Sequence, residues 1–377
     1  MISSEIIISL LEAIKKNDQD TVDQVIKKLI RESEKKGYHQ VAKRLREIYS
    51  EPYSTQIGRN SGFFSSSFSG SAHSSPNLYE LRKPKVGLKD VILSEKNEQI
   101  ALEIIETFKN KDKLIGLDLQ YENNVFVYGP PGTGKTLFAY ALAGELDLPV
   151  LHIYLDSLIS SYLGETGKNL GKIFSDAEKQ ECVIFLDEFD AVGKMRDDNQ
   201  DLGELKRVVV VLLQQIDEMS PNSILVAATN HDHLIDKAIR RRFNYEMHLD
   251  ILDFEGRKRL LELYLKKFGK FDNEFLAGIT DVLSGSSVRQ VINKTVKTWY
   301  LTGAKDNLLN MLVDHFSRYF FSEKNLDTKD DKQMKLFSEL VAKLRDFDSK
   351  KYTFKSLESM TSIPDSTIYS IMEKYGN

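Results

Sequence analysis

Between Asn123 and Asp250 five short apolar runs, NNVFVYG, PVLHIYL, CVIFLDE, SILVAATN and YEMHLD, alternate with stretches of helical spacing. Apolar strands separated by helices predict a parallel sheet covered on both faces, an α/β arrangement. After Asp250 the pattern turns wholly helical to about Phe321. A charged joint, EKNLDTKDDKQ, then leads into a small helical tail.

Toward the N-terminus, Ile7, Leu10, Leu11 and Ile14 keep helical spacing, as do Val22, Val25, Ile26, Leu29 and Ile30, and then Val41, Leu45 and Ile48. With Asp20 as an N-cap and Gly37 as a stop, residues 1–50 read as three short helices. So thin a core suits docking on a partner or substrate. From Glu51 to about Pro84 the chain is rich in Ser, Gly and Asn, and SGFFSSSFSGSAHSSP shows no periodicity. Residues 51–85 therefore read as a flexible linker. The embedded Phe63, Phe64 and Phe68 leave a short partner-binding motif as the alternative.

Composition narrows the class. The chain has 377 residues, 41% of them hydrophobic, which is ordinary for globular protein of two or three domains. A net charge of -4 gives no global attraction to nucleic acid or acidic membrane. A single cysteine, Cys182, rules out an intrachain disulfide and fits a reducing compartment. No basic stretch followed by an apolar one opens the sequence, because Glu5 and Glu12 interrupt IIISLL. The run from Val208 to Ile216 is too short to span a bilayer. A soluble, cytoplasmic protein without membrane insertion is the expectation.

The chemistry concentrates at the strand ends. GPPGTGKT, Gly129 to Thr136, matches G-x-x-x-x-G-K-[ST] and directly follows the apolar run Val125 to Tyr128. Its glycines let backbone N–H groups close around phosphate oxygens. Lys135 can reach the β and γ phosphates, and the Thr136 hydroxyl can ligate magnesium. Pro130, Pro131, Gly132, Thr133 and Gly134 make the loop, and Leu137 comes next in the helix; all are candidate nucleotide contacts. About fifty residues on, VIFLDEFD ends an apolar strand in Asp187 and Glu188. The aspartate is placed to hold magnesium, and the glutamate to polarise water for in-line attack on the γ phosphorus. ILVAATN supplies a third strand tip, Asn230, whose amide can orient that water or touch the γ phosphate. Three arginines in AIRRRF lie too far along the chain to serve this subunit's own phosphate by default. That placement suits fingers offered to a neighbour.

Taken in order, GPPGTGKT, SYLGETGKN, VIFLDEFDAV, AATN, AIRRRF and SGSS resemble the AAA family of ATPases within the AAA+ group. Within that group the chain resembles the meiotic clade, which includes katanin, spastin and the ATPase that disassembles ESCRT filaments. The resemblance covers roughly Val86 to Phe321. It implies a P-loop αβα sandwich with a five-stranded parallel sheet over 86–250, then a helical lid over 251–325. It also implies a homohexameric ring that hydrolyses ATP to ADP and phosphate with Mg²⁺, the nucleotide lying at subunit boundaries. By position the fingers fall on Arg241 and Arg242, the lid's nucleotide contact on Gly285 and Ser286, and the adenine contacts on Val91 and Ile92. Ile92 departs from the family, which usually has glycine there. Arg289 in SGSSVRQ stands where many relatives lack arginine; it can sense the γ phosphate from the lid, but a surface salt bridge is the plainer reading.

SSYLGETGKNL places an aromatic and an aliphatic residue among turn formers, after PVLHIYLDSLI. It resembles the family's pore loop, with Tyr162, Leu163 and Gly164 in its positions, and so implies a polypeptide substrate gripped by side-chain packing. Core packing is the alternative for Tyr162. In the tail, 326–377, FKSLESMTSIPDSTIYSIMEKYG resembles a helix-turn-helix, with Glu358 and Ser362 departing from it and no arginine or glutamine to read bases. A lid extension or docking knob is the plainer reading. The order of the segments also resembles bacterial AAA proteins encoded beside a subtilisin-like serine protease in anti-phage modules, which would make that protease a partner. Two other functions stay open: a DNA-acting AAA+ machine, and a nucleotide-gated regulator or scaffold.

Overall fold

The apolar runs become the sheet they predict. A computed structural model describes residues 79–119, 121, 123–155, 166–192, 204–281, 283–323 and 330–376. The helical head over 1–50, most of the linker, and the loop carrying Tyr162, Leu163 and Gly164 lie outside the described residues.

Six strands make the sheet: β1 (Tyr79–Arg82), β2 (Asn124–Tyr128), β3 (Val150–Tyr154), β4 (Cys182–Asp187), β5 (Ser223–Thr229) and β6 (Tyr245–His248). Their spatial order is β1-β3-β4-β5-β2-β6. The last five are parallel to one another, as the apolar runs predict. Every residue of β5 and all but the last of β4 are buried, which needs cover on both faces. The sixth strand, β1, is antiparallel to β3 and pairs Leu81 with Leu151. It comes from the end of what reads as linker. A four-residue YELR carries too little periodicity to separate from its Ser-rich approach, yet β3 would otherwise be an open edge.

The helices that cover and flank this sheet are α1 (Glu95–Lys109), α2 (Lys111–Gly116), α3 (Lys135–Glu145), α4 (Thr166–Ala177), α5 (Glu204–Asp217) and α6 (Lys237–Arg240). One apolar cluster joins Ile104 and Phe108 of α1, Phe138 and Leu142 of α3, and Val125, Val183 and Val226 of the sheet.

A second core is wholly helical. It is built by α7 (Phe254–Leu265), α8 (Asn273–Ile279), α9 (Gly285–Leu301), α10 (Leu308–Glu323), α11 (Asp331–Phe347), α12 (Phe354–Thr361) and α13 (Asp365–Tyr375). Leu261, Leu276, Val288, Phe316, Phe337, Val341, Leu357 and Ile368 lie together in it. The tail helices thus pack into the same core as the helices that come after the sheet. The turn between α12 and α13 is present, and Ser362 takes the left-handed conformation there at φ 59. Ser366, Tyr369, Ser370 and Glu373 are exposed on α13. Side-chain caps fix where several helices start: Asp253 for α7, Ser284 for α9 and Thr353 for α12 each accept a backbone N–H. No helix among the described residues is long and apolar enough to cross a membrane.

Candidate functional site

The loop after β2 is shaped by glycines that no other residue replaces without strain. Gly129 has φ 146, and a Cβ there would stand 2.0 Å from the carbonyl oxygen of Leu249. The loop backbone and the chain leaving β6 therefore touch. Gly132 at φ 78 and Gly134 at φ 103 complete the curve, and Lys135 opens α3. The first-turn N–H groups of α3 lack intrahelical acceptors, so they and the helix dipole favour an anion at this end.

Lys135 is buried, and its ammonium donates to the carbonyls of Gly129 and Pro130, each at 2.8 Å. Burial pushes its pKa below the usual lysine value, while the Asp187 carboxylate pulls it back up. The Thr133 hydroxyl also donates to the Pro130 carbonyl, at 2.9 Å. Pro130 thus holds the loop from behind, and the residues from Pro131 to Leu137 line the cavity.

Asp187 ends β4, half-buried, and its Oδ1 accepts the Glu188 backbone N–H at 3.0 Å. Glu188 itself is exposed and sits at φ 55, a left-handed conformation that costs a non-glycine residue about 1–3 kcal/mol and recurs at functional sites. It lines the same cavity as the phosphate loop. At the next strand tip the Thr229 hydroxyl donates to buried Asp190, and the His231 N–H donates to Thr229. Those bonds fix the bend that presents Asn230. Because β5 lies between β4 and β2, Asn230 stands between the acidic pair and the loop.

The helical part closes the cavity. The Ser286 N–H donates to the Gly132 carbonyl at 3.1 Å, with Gly285 beside it at the start of α9. A cavity of about 380 Å³ results. It collects Val91, Ile92, Thr136, Asp187, Glu188, Asn230, Gly285 and Ser286, all expected from sequence. Val91 packs with the sheet core and Ile92 with the helical core, so the segment straddles both.

Two features differ from the sequence reading. Arg289, expected in a surface salt bridge, lines the same cavity with its guanidinium 5.6 Å from the Tyr264 ring centroid. Leu252, Leu260 and Tyr264 also line it, and no motif marks them. Leu260 and Tyr264 are spaced i, i+4 on α7, a pattern that reads simply as helix core.

Arg241 and Arg242 are not in this cavity. They line a separate polar one beside Asn123, Asn124 and Asp217, where the Asn124 amide donates to the Arg242 carbonyl at 3.0 Å. Asn124 begins β2 and the phosphate loop leaves its other end, so about 13 Å of strand separates the two places.

Residues 125–251 match the family described as ATPase family associated with various cellular activities (AAA). An uncharacterized AAA family ATPase, y4kL, of Sinorhizobium fredii is 35% identical over 74% of this chain and 85% of its own length. An ATP-dependent zinc metalloprotease FtsH of Parabacteroides distasonis is 34% identical over 56% of this chain, but only 32% of its own length is spanned. A proteasome-activating nucleotidase of Saccharolobus solfataricus is 28% identical over 68% of both chains. With the phosphate loop, the acidic strand tip and the helical cover assembled around one cavity, the chain belongs to the AAA family of ATPases, within the AAA+ superfamily.

Proposed function

We propose that the protein is a ring-forming, magnesium-dependent AAA+ ATPase, a homohexamer that threads, unfolds or remodels polypeptide substrates. One observation carries the reading. The cavity holds a phosphate loop, a base and a water-orienting amide, whereas Arg241 and Arg242 stand at the far end of β2. A site whose charge-stabilising arginines stand at the other end of the strand is completed by a neighbour. A head-to-tail ring satisfies every site at once.

In each site Lys135 and the loop N–H groups hold the phosphates. Glu188 takes a proton from the attacking water while Asn230 orients it. Val91, Ile92, Gly285 and Ser286 hold the rest of the nucleotide. The Thr136 hydroxyl and Asp187 carboxylate are hard oxygen donors at one end of the cavity, a set that suits Mg²⁺. Bound there, the cation supplies charge neutralisation at the β and γ phosphates.

The 86–250 and 251–325 domains would shift with nucleotide through the Gly132–Ser286 contact, carrying the Tyr162, Leu163 and Gly164 loop. Two relatives are named for proteolysis, as a metalloprotease and as a proteasome activator, which supports a polypeptide as cargo. Service to a subtilisin-like protease in anti-phage defence rests on segment order alone; capture with Glu188→Gln would identify the partner. A cytoplasmic location rests on the single, buried Cys182.

The test pairs assembly with turnover. Tyr162→Ala should keep the parent's melting temperature and basal ATPase but lose stimulation by unfolded protein, and Tyr162→Phe should retain it. Undiminished stimulation in Tyr162→Ala, or full turnover by a protein that stays monomeric with ATP, would overturn the reading.

A further inference from the structure

Behind Asp187 lies a buried histidine that the chemistry above does not use. His152 is on β3, 4% exposed, stacked on Tyr154 with ring centroids 4.3 Å apart and edge-on to Phe185 at 4.8 Å. Its Nδ1 is 2.9 Å from the Tyr140 hydroxyl of α3. Its Nε2 is buried with no hydrogen-bond partner among the described residues, and Asp187 Oδ2 lies 3.6 Å away.

The direction of the bonds is set by what each group can donate. The Arg82 guanidinium, on β1, donates to the Tyr140 oxygen at 3.3 Å and to the Tyr154 oxygen at 3.1 Å. Glu80 anchors that guanidinium through its Nε at 2.6 Å. An arginine cannot accept, so the Tyr140 oxygen is the acceptor there. Its own hydrogen is then available for donation to His152 Nδ1. With Nδ1 as the acceptor, the ring hydrogen sits on Nε2, facing the carboxylate.

We propose that Arg82, Tyr140 and His152 form a one-way hydrogen-bond relay in which His152 is the positioning residue for Asp187. The inference rests on the reading of Asp187 as a cation ligand. The Asp187 Oδ1 is already held by the Glu188 N–H. Closing the gap from Nε2 to about 2.9 Å fixes the second oxygen as well. Both oxygens then keep their remaining lone pairs toward the cavity, and the carboxylate meets the cation without losing rotamer freedom at that moment. The relay starts on the antiparallel edge strand and crosses α3, so it ties the sheet edge to the metal-binding end of the cavity.

The test uses the full chain with ADP and manganese(II), the free ion being read by electron paramagnetic resonance. Asp187→Asn sets the scale for losing the carboxylate. His152→Leu should weaken manganese binding about tenfold, the low end for loss of a group that orients a metal ligand. Its affinity for ADP in EDTA should equal the parent's. His152→Gln can place an amide nitrogen where Nε2 stands and should recover most of the affinity; His152→Asn reaches only the Nδ1 position and should not. If His152→Leu fails to fold, Tyr140→Phe removes only the hydroxyl and should still weaken manganese severalfold. A folded His152→Leu or Tyr140→Phe with the parent's affinity, beside a weakened Asp187→Asn, overturns the relay alone. Unchanged affinity in Asp187→Asn overturns the cation assignment and takes the relay with it.

Discussion

A Cβ on Gly132 would stand 2.3 Å from Ser286 Oγ, and the same two residues share the hydrogen bond that seats α9 on the phosphate loop. Contact this close makes the glycine a sensor of where the helical core sits. Gly132→Ala should therefore act in two ways. A left-handed alanine at φ 78 costs about 1–2 kcal/mol. Its methyl also pushes Ser286 and Ser284 off the loop, since Ser284 Oγ would be 2.7 Å away. Nucleotide affinity should fall about tenfold or more, tenfold being 1.4 kcal/mol. Adding Ser286→Ala removes the nearer clash and should restore part of it. Titration with a fluorescent ADP reads both steps. Parental affinity in Gly132→Ala would mean that this contact does not shape the site.

Glu188 presents a different balance, because its backbone is strained and its side chain exposed. Glu188→Gln should bind ATP as the parent does and hydrolyse it a hundredfold or more slowly, since an amide accepts no proton from water. Lys135→Ala should instead weaken binding. Glu188→Gly should be equally inactive yet at least as stable as the parent, because glycine adopts φ 55 freely. Steady-state turnover beside thermal melting decides it; hydrolysis by Glu188→Gln at the parent rate would remove Glu188 from the chemistry.

Much of the site was legible in the sequence because it lies at strand ends. A buried parallel strand reads as an unbroken apolar run, and the residues at or just past its C-terminal end make the site: Gly129 after β2, Asp187 at the end of β4, Asn230 after β5. Tyr264 on α7 was not legible, and Arg289 on α9 reads first as a surface salt bridge and only second as a nucleotide contact. Tyr264 and Arg289 keep helical spacing, and only the packing of α7 against α9 shows that they turn toward the cavity. β1 was hidden for another reason: a short edge strand is specified by its partner, and nothing in YELR names Leu151. His152 carries no signal of its own within PVLHIYL, because its meaning depends on Tyr140 and Arg82, both distant in the chain.

The helical core has its own titrating group. His315 is half-buried, and its Nδ1 is 2.8 Å from the Thr295 hydroxyl, which already donates to the Val291 carbonyl. Burial lowers its pKa below 6.5, with Asp314 pulling it upward and Lys294, Arg318 and Lys351 adding to the lowering. The unfolded chain therefore takes up the proton first. Stability should be unaffected by this group above about pH 6.5 and should decline as pH falls below it. His315→Gln should lack that component. Urea unfolding at pH 8 and pH 5.5 compares the two, and an identical pH dependence would show that His315 contributes none.

The three arginines at the end of α6 and just beyond it are held so differently that their substitutions should separate. Arg240 is half-buried, bonded to the Asp232 carboxylate at 2.7 Å and lying 5.3 Å from the ring centroids of both Phe126 and Tyr128. Arg242 donates to the Ala238 carbonyl at 2.8 Å and pairs with Asp217 at 2.9 Å. Arg241 is exposed, and among the described residues no hydrogen bond or ion pair holds its guanidinium. Arg240→Ala should destabilise the fold by about 1–3 kcal/mol, chiefly through lost packing on Phe126 and Tyr128. Arg241→Ala should change stability by less than about 0.5 kcal/mol, as a surface substitution does. Yet its turnover should fall about a thousandfold with nucleotide affinity intact, since the missing charge belongs to the neighbour's site. Arg242→Ala should share that loss of turnover, with a small stability cost from releasing Asp217. Mixing supplies the deciding measurement. Arg241→Ala subunits keep Glu188, and Glu188→Gln subunits keep the finger, so neither is active alone. In a randomly mixed head-to-tail ring about one junction in four joins an intact base to an intact finger, and activity should return. Mixed rings confirmed by native mass spectrometry but without recovered turnover would show that Arg241 does not act across the junction.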